Sequence, residues 1–235
     1  MKKNKYTILF LALLLISCQK KTEIFPKGDV VGFVKLIDET GKEIEDRSGI
    51  NVEFETTSHT TTTNALGRYE FKNVEAGTYN LIFEKEGFGN RKRYSCQFVG
   101  GPKPALLQKQ TLYQQPSTQI TKVNVSQNNS SRIQVEGELT ETESYDLHLF
   151  LGTNPDVSPE ENDYSISYSF CCIPTTTFGI PISRREVPYH TGQIIYVALY
   201  LKNTAESYGN FNPETGTYNY SSFKMACPVF QFKLQ

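Results

Sequence analysis

Asp146 and His148 stand two apart in Tyr145-Asp-Leu-His-Leu-Phe-Leu151, so an extended chain presents both on one face, where a carboxylate can orient an imidazole as a general base. That chemistry also needs a nucleophile, and no Gly-x-Ser-x-Gly accompanies the pair, so no catalytic residue is expected. His59 and His190 lie in separate contexts without ligand spacing. Neither His-x-x-Glu nor His-Glu-x-x-His occurs, so the zinc centre of a carboxypeptidase has no ligands here, and no cofactor or metal is expected. Residues 154–163 (NPDVSPEEND) offer four carboxylates, but their spacing is not that of an EF-hand and the two prolines suit an ordinary loop; calcium is the alternative. Cys227 lies just before Pro228, and Cys171 and Cys172 are adjacent, so a disulfide from Cys227 to Cys171 or Cys172 is the expected state, with buried thiols as the alternative. Cys96 reads as a buried free thiol. The remaining candidates are aromatic: Tyr208, Phe211, Tyr218 and Tyr220 surround an Asn-Pro-Glu-Thr-Gly turn at the tip of an expected hairpin. Such rings either cap a core or form an exposed patch that stacks on sugars or docks a partner.

The elements that must position these side chains are strands. Thr, Tyr, Val, Ile and Phe recur in short alternating runs broken by Gly, Pro and Asn, which makes the chain all-β. Its 235 residues allow two small domains after a leader is removed. Without Lys2, Lys3 and Lys5 the 24 basic side chains fall to 21 against 25 acidic ones, a balance that argues against a nucleic-acid partner. The absence of Trp leaves sugar stacking to the 14 Tyr and 15 Phe.

Lys2, Lys3 and Lys5 form a positive start to an apolar run from Ile8 to Ile16, far too short for the roughly 20 residues that span a bilayer. It ends in Leu15-Ile16-Ser17-Cys18, which resembles the lipobox of bacterial lipoproteins. The resemblance implies a signal peptide over 1–17, cleavage after Ser17, lipidation of Cys18 and a tether over 18–27. Acyl burial contributes about 0.8 kcal/mol per methylene, so two or three chains anchor the protein without a spanning helix. In lipoproteins resembling those of the Bacteroidetes, an acidic run after the Cys marks surface export. Here Lys20 and Lys21 follow it, pointing to the periplasmic face of the outer membrane.

Residues 28–113 carry Val30, Val34 and Leu36 on one strand face, a threonine run at 60–63, a turn ending in Gly67, the pair Tyr69 and Phe71, a Gly77-Thr-Tyr79 start and a Lys85-Glu-Gly87-Phe88 end. This passage resembles the carboxypeptidase regulatory-like family, which implies a seven-stranded transthyretin-like sandwich serving as spacer, folding aid or docking module. Transthyretin-related hydrolases need paired His and Arg, and His59 is this segment's sole histidine. Arg91-Lys92-Arg93 reads as a solvated hairpin, with an anion or headgroup contact as the alternative.

Residues 114–119, polar and broken by Pro116, form a linker with little slack. Over 120–235, Leu151-Gly-Thr-Asn-Pro-Asp156 and Tyr196-Val-Ala-Leu-Tyr200, running on to Asn203 and Tyr208-Gly209, resemble fibronectin type III-like domains of Bacteroidetes envelope proteins. The resemblance implies a second sandwich with Tyr196 as its corner tyrosine. On these grounds the chain is expected to be two tandem β-sandwiches, transthyretin-like then fibronectin type III-like, monomeric and held to the membrane by its N-terminal lipid. It would act without catalysis as a binding or assembly module for an envelope protein or glycan. A subunit of a surface fibre or adhesin, and an unrecognised hydrolase, are the alternatives.

Overall fold

The computed structural model describes residues 26–128, 132–141, 145–160, 163–173 and 175–235, with the backbone alone for Asn128, Cys172 and Ile173. Cys18 and the expected leader lie outside these residues.

The first half of the chain folds into two facing sheets. One contains β1 (Lys27–Ile37), β4 (Arg68–Glu75), β7 (Ala105–Leu106) and β8 (Gln110–Tyr113); the other runs in the order β3 (Thr60–Thr62), β2 (Asn51–Phe54), β5 (Gly77–Glu84) and β6 (Arg91–Phe98). β7 and β8 both lie parallel to β1, at Val30 to Val31 and at Val34 to Ile37, so together they occupy one strand position and the sandwich has seven. Alternation does the work here: Val30, Val34 and Leu36 of β1 meet Tyr69, Phe71, Leu81 and Phe83 in one core. Gly32 pairs with Tyr69, whose ring lies over it; a Cβ there would fall 2.2 Å from the phenol oxygen, which is why this strand interior carries glycine. The expected turn closes on Asn64, whose side-chain oxygen accepts the amides of Leu66 and Arg68, with Gly67 at φ 73°. Cys96 is a buried free thiol, as its place on β6 implies.

The second half packs β9 (Ile120–Asn128), β10 (Arg132–Leu139) and β13 (Thr177–Ser183) against β11 (Tyr145–Gly152), β12 (Ile166–Ile173), β14 (Ile194–Asn203), β17 (Lys224–Met225) and β18 (Phe230–Lys233). The orders, β9-β10-β13 and β12-β11-β14 with β17 and β18 both on β14, make a fibronectin type III-like sandwich. Its core draws Tyr145, Leu147, Leu149 and Leu151 from β11 and Ile195, Val197, Leu199 and Leu201 from β14.

The corner tyrosine is not Tyr196. Inward positions on β14 are odd-numbered, so Tyr196 faces out; Tyr189, in the approach to the strand, is buried and donates its hydroxyl to Leu151 O at 3.2 Å. The expected disulfide is not formed either. Cys227 is a free thiol packed against the second core, where burial pushes its pKa up to about 11, and Cys171 is a free thiol on the exposed face of β12. The side chain of Cys172 lies outside the described residues.

Between the halves the chain is pinned on both sides. Asn203, wholly buried, donates its amide to Asp38 O at 2.9 Å and to Gln114 O at 3.0 Å, and Lys224 Nζ donates to Pro116 O at 2.8 Å. Gly89 meets the backbone of Ser221 so closely that a Cβ would stand 1.8 Å from its carbonyl oxygen.

Candidate functional site

The outer face of the β11–β14 sheet is covered rather than wet. His148, Phe150, Ala198 and Tyr200 point outward, yet all four are buried, because Val157 and Tyr164 fold over them from one side and Phe223 from the other. The rings meet largely edge to face: Phe150 with Tyr164 at 5.0 Å, His148 with Phe223 at 4.7 Å and Tyr220 with Phe223 at 5.2 Å. Above them opens a cleft of about 480 Å³, with Tyr164, Tyr218 and Tyr220 on its walls and Ser158, Glu160, Ser167 and Asn219 as its polar groups. This combination, an apolar wall with a few convergent polar groups, suits a small ligand or a short stretch of a polymer.

The four aromatic residues singled out in the sequence line two clefts that meet at the hairpin. β15 (Asn210–Asn212) and β16 (Thr217–Asn219) make the expected hairpin, in which Phe211 and Tyr218 pair across the strands with ring centroids 5.1 Å apart. Tyr218 and Tyr220 face the cleft on the second sandwich. Tyr208 and Phe211 line a separate one, of about 680 Å³, at the junction with the first. Phe150, Tyr164, Tyr200 and Phe223 escaped the sequence reading. The available signal was the outward register of β14, where Tyr196, Ala198 and Tyr200 give a run apolar on both faces, the mark of a strand buried on both sides.

Asp146 and His148 do share a face, but the carboxylate pairs with Lys202 Nζ at 2.8 Å, a lysine only 4% exposed. Burial, and next the Lys202 charge, drive the His148 pKa down to about 4 against a smaller opposing pull from Asp146; Ser169 Oγ lies 3.3 Å from its Nε2. An imidazole this reluctant to take a proton is a poor general base at neutral pH. It is a packing group with a pH signature. The unfolded chain protonates near 6.5 and the folded one only near 4, so folding excludes a proton between these values and stability falls as pH drops through that window. The expected loss is on the order of 3 kcal/mol, complete by about pH 4. Urea unfolding at pH 7 and pH 4.5 checks it: His148→Gln should remove most of the acid sensitivity, and an unchanged pH profile would refute the assignment.

Among the described residues, no group of three or more His, Cys, Asp or Glu could hold a metal ion. Glu161 and Asn162 of the acidic loop lie outside them. Ser158 Oγ donates to Asp163 Oδ2 at 2.5 Å, and Ser158, Pro159 and Glu160 line the cleft.

The class of protein that the fold defines is therefore an all-β chain of two sandwiches in tandem, the second carrying an aromatic cleft on a sheet face. Its first part has a recognisable relative: residues 30–137 match the carboxypeptidase regulatory-like domain. That match runs through the first sandwich and the linker into β10. No curated protein matches the chain. Among solved structures, the chain is similar to a protein from Bacteroides uniformis provisionally described as carbohydrate-binding, at 16% identity over 89% of this chain and 100% of that one, TM-score 0.36. It is similar to a DUF3823 family protein from Parabacteroides merdae at 10% identity, 89% and 100% coverage, TM-score 0.38. Chicken CNTN1 domains FN1–FN3 are similar at 10% identity over 90% of this chain and 67% of that one, TM-score 0.31.

Proposed function

We propose that this chain is a lipid-anchored envelope protein that binds a glycan, without catalysis, through the aromatic cleft of its second sandwich. The observation that carries the reading is the cleft itself: Tyr164, Tyr218 and Tyr220 offer ring faces to the apolar faces of sugars, and Glu160, Asn219, Ser158 and Ser167 offer partners for hydroxyls. Tyr218 is 64% exposed, a large ring left in water where no core requires it. In this reading residues 28–113 are a carboxypeptidase regulatory-like spacer and 120–235 a fibronectin type III-like binding unit. The division at 114–119 is supported by the two hydrophobic cores, one ending at Leu112 and the other starting at Ile120. A glycan array identifies the ligand. Tyr218→Ala should then weaken binding by about tenfold, the worth of one lost stacking contact, with an unchanged melting temperature. Unaltered affinity would take the cleft out of the reading.

The anchor rests on the leader alone. Lys2, Lys3 and Lys5, the apolar run and Leu15-Ile16-Ser17-Cys18 together support lipidation at Cys18, and the basic pair after it supports the periplasmic face of the outer membrane. Cys18→Ser should release the protein from the membrane fraction and abolish its labelling by radioactive palmitate; retention of both would defeat the assignment.

A further inference from the structure

The junction between the sandwiches holds a cleft that the proposed function does not use. Its first-sandwich wall is basic. Arg91 Nε donates to Gln110 Oε1 at 3.1 Å, and Arg93 donates from one terminal nitrogen to Gln108 O at 3.1 Å, while Lys109 stands beside them. Gln110 is itself buried, its amide donating to Gln108 O and Lys109 O, so the Arg91 guanidinium is aimed by a fixed partner. Each guanidinium has spent one N–H and keeps others for a ligand. Among the described residues Arg91, Arg93 and Lys109 form no ion pair. The contrast with their neighbours is sharp: Lys92 is matched by Glu55 at 2.7 Å, and Glu43, the carboxylate near Lys109, is already held by Lys35 and Arg47 at 2.7 Å each. Glu214, at the hairpin tip, is exposed. A chain of net charge −1 thus gathers in one recess three cations that, among the described residues, have no ion-pair partner.

The opposite wall is aromatic. Tyr208, 84% exposed, and Phe211, 47% exposed, face the cations across about 680 Å³, and Asn210 donates its amide to Lys92 O, fixing this wall on β6. At Arg93, Gln108 and Lys109 the cleft opens onto a further recess beside Leu66 and Leu106, so a ligand longer than one ring has room.

We infer that the junction cleft is a second binding site, for an acidic oligosaccharide whose carboxylate or sulfate groups are held by Arg91, Arg93 and Lys109 while a ring face packs on Tyr208 and Phe211. Arginine forks match either anion bidentately. The rings favour a saccharide over an acidic peptide, because flat faces are what pyranose rings need and a run of carboxylates does not.

The inference goes beyond the aromatic cleft and can fail separately from it. Titration calorimetry of the detergent-solubilised full chain with tetragalacturonate, a sulfated carrageenan tetrasaccharide free of carboxylates, cellotetraose and a glutamate tetrapeptide decides it. One or both acidic saccharides should bind at least about tenfold more tightly than cellotetraose, with affinity falling as salt rises, and the tighter of the two tells carboxylate from sulfate. Arg91→Gln combined with Arg93→Gln should cost about tenfold or more. Tyr208→Ala, a side chain the fold does not need, should weaken the same ligand severalfold. Tyr164→Ala, in the aromatic cleft and away from the hairpin, should leave it unchanged. Equal binding of neutral and acidic oligomers, a glutamate peptide that binds as tightly, or full affinity in both the arginine and the Tyr208 variants would overturn the proposal.

Discussion

Replacing Glu206 with alanine should cost about 3 kcal/mol of folding stability, the upper end of the range for leaving buried hydrogen-bond donors without their acceptor. The residue is wholly buried just past the end of β14, and its carboxylate accepts four hydrogen bonds. One oxygen takes the amide of Ser221 at 2.9 Å and its hydroxyl at 2.8 Å; the other takes the amide of Ser222 at 2.9 Å and its hydroxyl at 2.5 Å. Alanine strands all four donors. The damage spreads because the network is shared: Ser222 Oγ also accepts the Asn203 amide at 3.2 Å, and Lys202 Nζ donates to the Glu206 carbonyl at 2.7 Å. The loop that the carboxylate fixes carries Tyr220 and Phe223, so the aromatic cleft should be lost along with the stability. Urea unfolding with a binding titration tests both, and Glu206→Gln, which keeps the shape and one acceptor, should fall between the parent and alanine. A midpoint equal to the parent's would show that the network does not hold this loop.

Gly89→Ala should open the junction while leaving each sandwich intact. The added carbon would lie 1.8 Å from Ser221 O, 2.1 Å from its carbonyl carbon and 2.7 Å from Ser222 N, all backbone atoms that no rotamer change can move away. Overpacking of this kind costs about 1–3 kcal/mol, here borne by the contact between the two halves. The expected result is faster proteolysis at 114–119 and loss of binding at the junction cleft, with little change in the unfolding of the first core. Parent-like proteolysis would mean that the two halves do not meet at this point in solution.

Both predictions concern places that local pattern could not reveal. Strand faces were legible because period two is a local property: Val30, Val34 and Leu36, or Leu147, Leu149 and Leu151, point inward as their alternation requires. Turns were legible for a similar reason, since Asn64 and Gly67 carry the chemistry of a reversal within four residues. The corner tyrosine was misplaced because its role depends on which hydroxyl reaches a carbonyl across the fold. Tyr189 reaches Leu151 O, while the parity of β14 turns Tyr196 outward. The cysteine pairing failed on the same ground, since two thiols must meet in space and alternation speaks only of their faces.

By itself, then, the sequence determined the all-β class, the division into two runs of strands, the hairpin around Asn212 and Gly216, and the aromatic composition of the segment from Tyr208 to Phe223. The tertiary structure alone decided that this segment splits its rings between two clefts, that Tyr164 and Phe223 close over Phe150, and that Arg91 and Arg93 face Tyr208 and Phe211. The physical reason is range. Side-chain parity follows from one residue's neighbours, whereas a cleft is made by segments far apart in sequence, held together by Asn203, Glu206 and the bare backbone at Gly89.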